Sequence, residues 1–116
     1  MAERRVELSP GEVWWARPDP AVGREQAGRR PVLIVSGGLY LDTVTTLALA
    51  VPLTSTDRQW PNHVRLDGLD ALHHPTFAMT EQVRTISRGR LLTRIGVIGP
   101  ADLSAVRGWI VDYLLD

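Results

Sequence analysis

The pattern of apolar and polar positions predicts a series of short strands. Residues 12–17 alternate, with Val13 and Trp15 on one face and Trp14 on the other. Residues 31–36 form a nearly continuous apolar run, which is typical of a buried strand. Further short strands are predicted near residues 63–66, 76–80, 82–86 and 91–98, with turn residues between them.

A third strand is predicted from Thr45 to Thr54. Every second residue from 47 to 53 is bulky, and the residues between them are small or end in a hydroxyl. We expect the bulky face to lie in the core and the small face, beside Ala48 and Ala50, to leave room for a ligand. Because Pro52 cannot donate to a sheet ladder, the strand is expected at a sheet edge or to be bulged there.

The last segment predicts a helix. Gly99 suits the N-cap, Pro100 suits the first helical position and Asp102 favours the first turn. An apolar stripe follows at helical spacing, formed by Leu103, Val106, Ile110 and Tyr113/Leu114. The whole pattern predicts one mainly β (α+β) domain over residues 1–116, a strongly bent sheet or partial barrel with a C-terminal helix.

Composition narrows the class of protein. The chain has 116 residues and no cysteine, which excludes disulfides and thiolate metal sites and favours a reducing cytoplasm. Its start resembles no signal peptide, and the apolar run of residues 47–53 is too short to span a membrane. A net charge of zero argues against a general nucleic-acid coat protein. All 13 basic residues are arginine, however, and arginine binds phosphate in a bidentate manner.

An irregular segment between Pro18 and Arg30 concentrates these arginines. Arg24, Arg29 and Arg30 follow one another closely, and a patternless loop of this length is more often functional than not. Because Arg30 precedes proline, its backbone is expected to be extended and to begin the second strand. An arginine on such a rigid base is placed to stabilise a phosphoryl transition state. The alternative is a solvated loop whose arginines pair with Glu25 or Asp19.

Two further groups are candidates for chemistry. The hydroxyl of Thr54 ends the small face of the third strand, where it would bind a phosphate oxygen or orient a ribose hydroxyl; alternatively it caps a turn. In the run from Glu81 to Thr85, alternation puts Gln82 and Arg84 on one face, where they would contact a base or the RNA backbone. Alternatively, Glu81 and Arg84 form a structural pair.

Aromatic and histidine side chains offer further candidates for binding or chemistry. Trp60, in a polar loop beside Arg58, is a platform for an unstacked base or else packs on the barrel rim. The histidines (His63, His73 and His74) are interpreted as surface or loop residues. No metal motif is recognisable, so metal-independent chemistry without a cofactor is expected.

Four blocks in order resemble the MazF/PemK family of bacterial toxins, which are endoribonucleases of toxin–antitoxin pairs. They are residues 11–15 (Gly-Glu-Val-Trp-Trp), the loop and strand of residues 19–33, residues 51–55 (Val-Pro-Leu-Thr-Ser) and residues 81–85 (Glu-Gln-Val-Arg-Thr). The resemblance implies an SH3-like barrel of the MazF/PemK/CcdB type, a homodimer, and a cognate antitoxin whose disordered acidic tail occupies the RNA site. It also implies metal-independent cleavage of single-stranded RNA, in which the 2′-hydroxyl attacks the adjacent phosphate to leave a 2′,3′-cyclic phosphate and a 5′-hydroxyl.

The resemblance also assigns roles to residues. The catalytic arginine and threonine of the family fall on Arg30 and Thr54, and a glutamate that helps some members falls on Glu25. The expected RNA-binding residues are Arg24, Arg29, Gln82, Arg84 and Trp60. Some members place an arginine and an aspartate before the Gln-x-Arg-Thr motif as acid and base; here those positions hold Met79 and Glu81, which favours the scheme with Arg30 and Thr54.

The alternative function is a CcdB-like toxin that binds gyrase without catalysis. Such proteins depend on a Trp-Gly-Ile chain end, whereas this sequence ends in Tyr-Leu-Leu-Asp and carries Trp109 within the helical pattern. The endoribonuclease is therefore the leading hypothesis.

Overall fold

The chain is built around antiparallel strands, as seen in a computed structural model that describes residues 6–17 and 28–115. The strands are β1 (Glu12–Ala16), β2 (Arg30–Ile34), β3 (Leu47–Thr54), β4 (His63–Leu66), β5 (Thr76–Met79), β6 (Arg84–Ser87) and β7 (Leu91–Val97). The helices are α1 (Gly38–Thr43) and α2 (Pro100–Trp109), and α2 continues into a π-helical turn (Ile110–Leu114). Single 3-10 turns cover Asp70–Leu72, Thr80–Gln82 and Arg88–Arg90.

The strands form one seven-stranded sheet in the order β4-β5-β3-β2-β1-β7, and β6 pairs with β3 beside this path. Every pairing is antiparallel. The prediction of a mainly β fold with a C-terminal helix is confirmed. Within the described residues, β4 and β7 stand at the two ends of the path and do not pair, so the barrel is not closed by hydrogen bonds there.

Strand β3 is central, and the expectation that Pro52 marks a sheet edge was wrong. On one side β3 pairs with β2, and on the other it pairs first with β6 through residues 47–50 and then with β5 through residues 53–54. Pro52 lies in the gap between the β6 and β5 pairings, and its partner in β2 is Val32. A central strand can therefore contain proline at the point where one neighbouring strand, β6, ends and the next, β5, begins, because no ladder hydrogen bond is required there.

Two apolar clusters cover the two faces of this sheet. The first is formed by Val13, Leu33, Val35, Val51, Leu53, Leu66, Leu69, Leu72, Ala78, Ile98 and Val106. The second is formed by Ala16, Val32, Ile34, Leu41, Ala48, Ala50, Ile86 and Leu91. Trp15 packs on the first cluster and Trp14 on the second, which confirms their predicted alternation. The expected ligand space over Ala48 and Ala50 does not exist, because both are fully buried in the second cluster.

Helix α2 begins as predicted and ends differently. Gly99 is the N-cap and Pro100 opens the helix, and Leu103, Val106 and Ile110 pack on the first cluster. The stripe does not continue to Tyr113, which is 58% exposed, since the π-helical turn changes the number of residues per turn. No helix in the described part of the chain is long and apolar enough to cross a bilayer.

Helix α1 was not predicted. The Ser-Gly-Gly start of this segment is typical of a loop, yet residues 38–43 form a short helix with Leu41 buried beneath it and Leu39 exposed. Tertiary contact of Leu41 with the second cluster therefore overrides a weak local propensity.

Arg88 joins α1 to the sheet. Its guanidinium is buried and donates to four main-chain oxygens: Nε to Leu47 at 3.0 Å, one Nη to Val6 at 3.0 Å, and the other Nη to Leu41 at 2.6 Å and Val44 at 3.2 Å. A buried charge is tolerated only where hydrogen bonds replace its hydration. Arg88 therefore ties the N-terminal segment, α1 and the start of β3 together.

We expect Arg88→Met to lower the free energy of unfolding by roughly 3 kcal/mol or more, because buried carbonyls lose their donors. Denaturant unfolding at fixed protein concentration measures the change. Arg65→Met is the matched control, because Arg65 is exposed on β4, and we expect it to change stability by about 0.5 kcal/mol or less. Equal effects of the two substitutions would show that the buried bonds of Arg88 do not stabilise the fold.

Candidate functional site

Arg30 begins β2 and Thr54 ends β3, and these two strands are adjacent in the sheet. The β2–β3 register pairs Val32 with Pro52 and Ile34 with Ala50. Continuing this register to the strand ends places Arg30 directly opposite Thr54. Opposed residues of an antiparallel pair have Cβ atoms about 5 Å apart, so a register continued in this way would set the two predicted catalytic residues side by side.

Arg30 is the first residue of β2, as predicted from the proline that follows it. It pairs with Ala16 of β1, and its position in the strand puts it on the sheet face of Val32 and Ile34. Arg30 is exposed, and no hydrogen bond or ion pair with another described residue holds its guanidinium. The backbone of Arg30 is therefore fixed by its pairing with β1, and the residue is exposed to solvent.

Thr54 caps the turn that follows β3. Its Oγ1 accepts a hydrogen bond from the backbone N–H of Thr56 at 3.1 Å. A hydroxyl that accepts in this way retains its own hydrogen as a donor. Capping therefore orients the hydroxyl of Thr54 without using the donor that a phosphate oxygen requires.

Arg29 lies apart from Arg30. Its Cζ is 4.2 Å from the ring centroid of Trp15, a cation–π contact, and Trp15 packs on the first cluster. Arg30 lies on the opposite face of the sheet, so the structure does not bring the two neighbouring arginines into one cluster. The predicted residues Arg24 and Glu25 lie outside the described residues.

The run from Glu81 to Thr85 is not one strand. Residues 80–82 form a 3-10 turn, and β6 begins at Arg84, so the predicted alternation of Gln82 with Arg84 was wrong. Arg84 pairs with Ala50 of β3, which places it on the same sheet face as Arg30 and Thr54. Gln82 is exposed in the turn, and its Nε2 lies 3.7 Å from the sulfur of Met79.

His63 is buried, so its interpretation as a surface or loop residue was wrong, whereas His73 and His74 are exposed as expected. Nε2 of His63 lies 2.9 Å and 3.1 Å from the two carboxylate oxygens of Glu81. On its other side, the ring of Trp60 lies 4.9 Å from the His63 ring, tilted by 56°. Trp60 itself is 50% exposed, so it combines rim packing with a free surface.

Two neighbouring residues complete this network. Asn62 is buried, and its Nδ2 donates to Glu81 at 2.8 Å and to the hydroxyl of Thr80 at 3.2 Å. The Thr80 hydroxyl in turn donates to the backbone oxygen of Asn62 at 2.8 Å. Sequence reasoning missed Asn62, His63 and Thr80 as a group; the local signal was a polar Asn-His pair at the start of a strand that alternates polar and apolar residues.

Arg17 and Arg90 extend the positive charge at the end of the sheet where Arg30 lies. One Nη of Arg17 donates to the backbone oxygen of Gly89 at 2.9 Å. Arg90 donates to the backbone oxygen of Arg17 at 3.1 Å through Nε and at 2.7 Å through Nη. Because carbonyls rather than carboxylates hold these guanidinium groups, their charges are not neutralised by the contacts.

Glu81 is held as a carboxylate. Partial burial acts to raise its pKa, but hydrogen bonds from His63, from its own backbone N–H and from Asn62, with attraction to His63, place the pKa below its ordinary value of 4.5. Among the described residues, no group of three or more His, Cys, Asp or Glu side chains is arranged to hold a metal ion.

We expect Glu81→Gln to make the free energy of unfolding depend less on pH in the acidic range. A carboxyl whose pKa is lowered by folding contributes stability above pH 4.5, and that contribution is lost as the pH falls through the folded-state pKa. Glutamine does not titrate, so the unfolding free energy of the variant will fall less below pH 4.5. Denaturant titrations across this pH range measure the slope, and identical slopes for parent and variant would contradict the effect.

Known proteins share this arrangement of elements. The MazF crystal structure from Deinococcus radiodurans (Form-I) is 28% identical, with a TM-score of 0.76, and the match covers 96% of this chain and 99% of that one. The MazE–MazF structure (Form-II) from the same organism is 27% identical, with a TM-score of 0.78 and coverage of 94% and 96%. The predicted MazF-type fold is thereby confirmed.

Sequence comparison gives the same result. The endoribonuclease toxin MazF of Escherichia coli K12 is 33% identical over 101 residues, which cover 86% of this chain and 87% of that protein. Residues 9–114 match the family described as PemK-like, MazF-like toxin of type II toxin–antitoxin system. Since that match includes β1 to β7 and both helices, the chain belongs to the PemK-like, MazF-like family of toxins of type II toxin–antitoxin systems.

Proposed function

We propose that this chain is a sequence-specific endoribonuclease toxin that cleaves single-stranded RNA in the cytoplasm without a metal or other cofactor. The observation that carries the proposal is that Arg30 begins β2 and Thr54 ends β3, two paired strands whose register, continued from Val32–Pro52, aligns these two residues. Similarity to the endoribonuclease toxin MazF of Escherichia coli supports the reaction class. A rigid cation beside a hydroxyl donor is suited to a phosphodiester whose negative charge grows in the transition state.

The proposed reaction is an internal transfer at phosphorus. The ribose 2′-oxygen attacks the adjacent phosphate and loses its proton, and the bond from phosphorus to the 5′-oxygen breaks as that oxygen gains a proton. The products are a 2′,3′-cyclic phosphate and a 5′-hydroxyl. The guanidinium of Arg30 binds the non-bridging oxygens, and the free hydrogen of Thr54 donates to the same group.

The flanking nucleotides would lie along the same face of the sheet. Arg84 shares that face with Arg30, and Trp60 offers an exposed ring on which a base can stack. Gln82 is exposed in the turn before β6 and would contact a base edge. Arg29 would contact RNA on the face of the sheet that carries Trp15. We further propose that Arg24 binds RNA and that Glu25 assists catalysis.

The proposed partners are a second copy of the chain and an antitoxin. The Deinococcus structure is a MazE–MazF complex, which supports a cognate antitoxin here. Its acidic tail would compete with RNA for Arg30 and the exposed arginines around it. Four exposed apolar side chains of the C-terminal segment support the dimer: Val111, Tyr113, Leu114 and Leu115.

We expect Arg30→Ala to lower the cleavage rate about 100- to 1,000-fold, because the transition state loses its only proposed fixed cation. The assay uses long single-stranded RNA in excess chelator, with analysis of the product ends. Arg94→Ala is the control, since Arg94 is an exposed arginine on β7, at the end of the sheet path beyond β1, and its guanidinium is paired with Glu12 at 3.1 Å. Undiminished cleavage by Arg30→Ala would refute its assignment, and cleavage that requires added divalent metal would refute metal independence.

We expect the double substitution Val111→Arg and Leu115→Arg to convert a dimer into monomers, because it places charge on side chains that are 56% and 73% exposed in one copy. Light scattering during size-exclusion chromatography measures the mass. Leu39→Arg is the control, because Leu39 is an equally apolar residue on α1 and is 81% exposed. A parent protein of monomeric mass would overturn the dimer, and a dimeric double variant would place the interface elsewhere.

A further inference from the structure

The loop of residues 55–62, here called the Trp60 loop, connects the candidate catalytic residue Thr54 to β4. Its residues up to Pro61 are exposed. Short local bonds shape it: Asp57 Oδ1 accepts from the backbone N–H of Gln59 at 2.8 Å, and Trp60 O accepts from the N–H of His63 at 3.0 Å. Such local turns define a shape but do not fix the position of a loop on the sheet.

The anchor of this loop is a buried network at its end. Asn62 and His63 both donate to the carboxylate of Glu81, and Thr80 exchanges hydrogen bonds with Asn62. The side chain of His63 is 1% exposed and that of Glu81 is 26% exposed. The network therefore binds the Trp60 loop to the 3-10 turn that carries Gln82.

His63 connects the anchor to the exposed aromatic. Its edge donates to Glu81, while its ring supports the indole of Trp60 at 4.9 Å. The remaining ring nitrogen, Nδ1, is buried and has no hydrogen-bond partner among the described residues. The ring is therefore held by Glu81 at the Nε2 edge and by packing against Trp60, and not by a hydrogen bond of Nδ1 to a described residue.

We propose that the His63–Glu81 pair is a positioning element that holds Trp60 and the adjoining turn in place for RNA, so that Glu81 positions the recognition surface rather than acting as general acid or base. The inference rests on the proposed endoribonuclease function. Both carboxylate oxygens of Glu81 already accept hydrogen bonds from His63, and one also accepts from Asn62. A general base requires an oxygen that can reach and accept the proton of the substrate.

The choice of amide substitutions separates positioning from acid–base chemistry. Glutamine at position 81 cannot exchange protons, yet its amide oxygen can still accept from both Asn62 and His63, as Oε1 of Glu81 does. Glutamine at position 63 can likewise donate to Glu81 while it lacks the ring beneath Trp60. Alanine at either position removes the bond altogether.

The experiment compares Glu81→Gln, Glu81→Ala, His63→Gln and His63→Ala with the parent. Amide hydrogen exchange of residues 55–62 reports the order of the loop, and kcat, KM and the pattern of cleavage sites on a defined RNA pool report recognition. His73→Asn is the matched control: it removes an exposed histidine, and asparagine tolerates the positive φ of 60° at that position.

We expect both alanine variants to exchange about tenfold or more faster across the loop, as expected when a buried hydrogen bond is lost. We also expect them to raise KM and broaden the cleavage pattern while kcat changes little. Glu81→Gln should restore most of the exchange protection and the pattern. His63→Gln should restore less, because the support of Trp60 is missing, and His73→Asn should match the parent.

Two results would overturn the proposal. One is a loss of kcat in Glu81→Gln as large as in Glu81→Ala, with loop exchange at the parent rate, since this is the behaviour of an acid or base. The other is parent-like exchange and cleavage pattern in His63→Ala. If the parent cleaves no RNA, the endoribonuclease proposal fails by itself, and the exchange rates still decide whether His63 and Glu81 anchor the loop.

Discussion

The structure depends on one constraint, which is that strand β3 must pair through its backbone hydrogen bonds with three neighbouring strands at once. Its backbone pairs with β2 on one side and with β6 and β5 in succession on the other, and residues of both faces are buried. A shift by one residue would move the entire apolar set to the wrong face, so the register is strongly specified. That register carries the candidate site, because it sets Ala50 opposite Arg84 and, continued two residues beyond the Val32–Pro52 pair, aligns Thr54 with Arg30.

Elements whose determinants are local could be predicted from the sequence. The start of α2 follows from Gly99 and Pro100, and the start of β2 follows from the effect of Pro31 on the residue before it. The misplaced features all depend on distant partners. Pro52 lies in a central strand because its neighbours change there, and α1 forms because Leu41 packs on the sheet and Arg88 binds its carbonyl.

The same distinction applies to the site. The positions of Arg30 and Thr54 at strand ends could be predicted, because proline and alternation act within a few residues. His63 could not, since its partner Glu81 is 18 residues away and the pairing of β4 with β5 brings them together. The neighbouring sequence of a histidine at the start of a strand does not show whether the side chain is exposed or buried. Only the register, which sets His63 opposite Met79, reveals that Glu81 is within reach.

The register of β3 and the contact between His63 and Glu81 fix the two ends of the Trp60 loop. Thr54 begins it, with a hydroxyl oriented by the N–H of Thr56, and His63 follows its end, where Glu81 fixes it. The two ends are held by separate hydrogen bonds, so displacement of the buried end leaves the turn contact of the Thr54 hydroxyl in place. In the proposed function, one end of this segment presents the ring on which a base stacks and the other presents the donor to the phosphate. Because each end has its own anchor, the choice of base can change while the geometry of cleavage is kept.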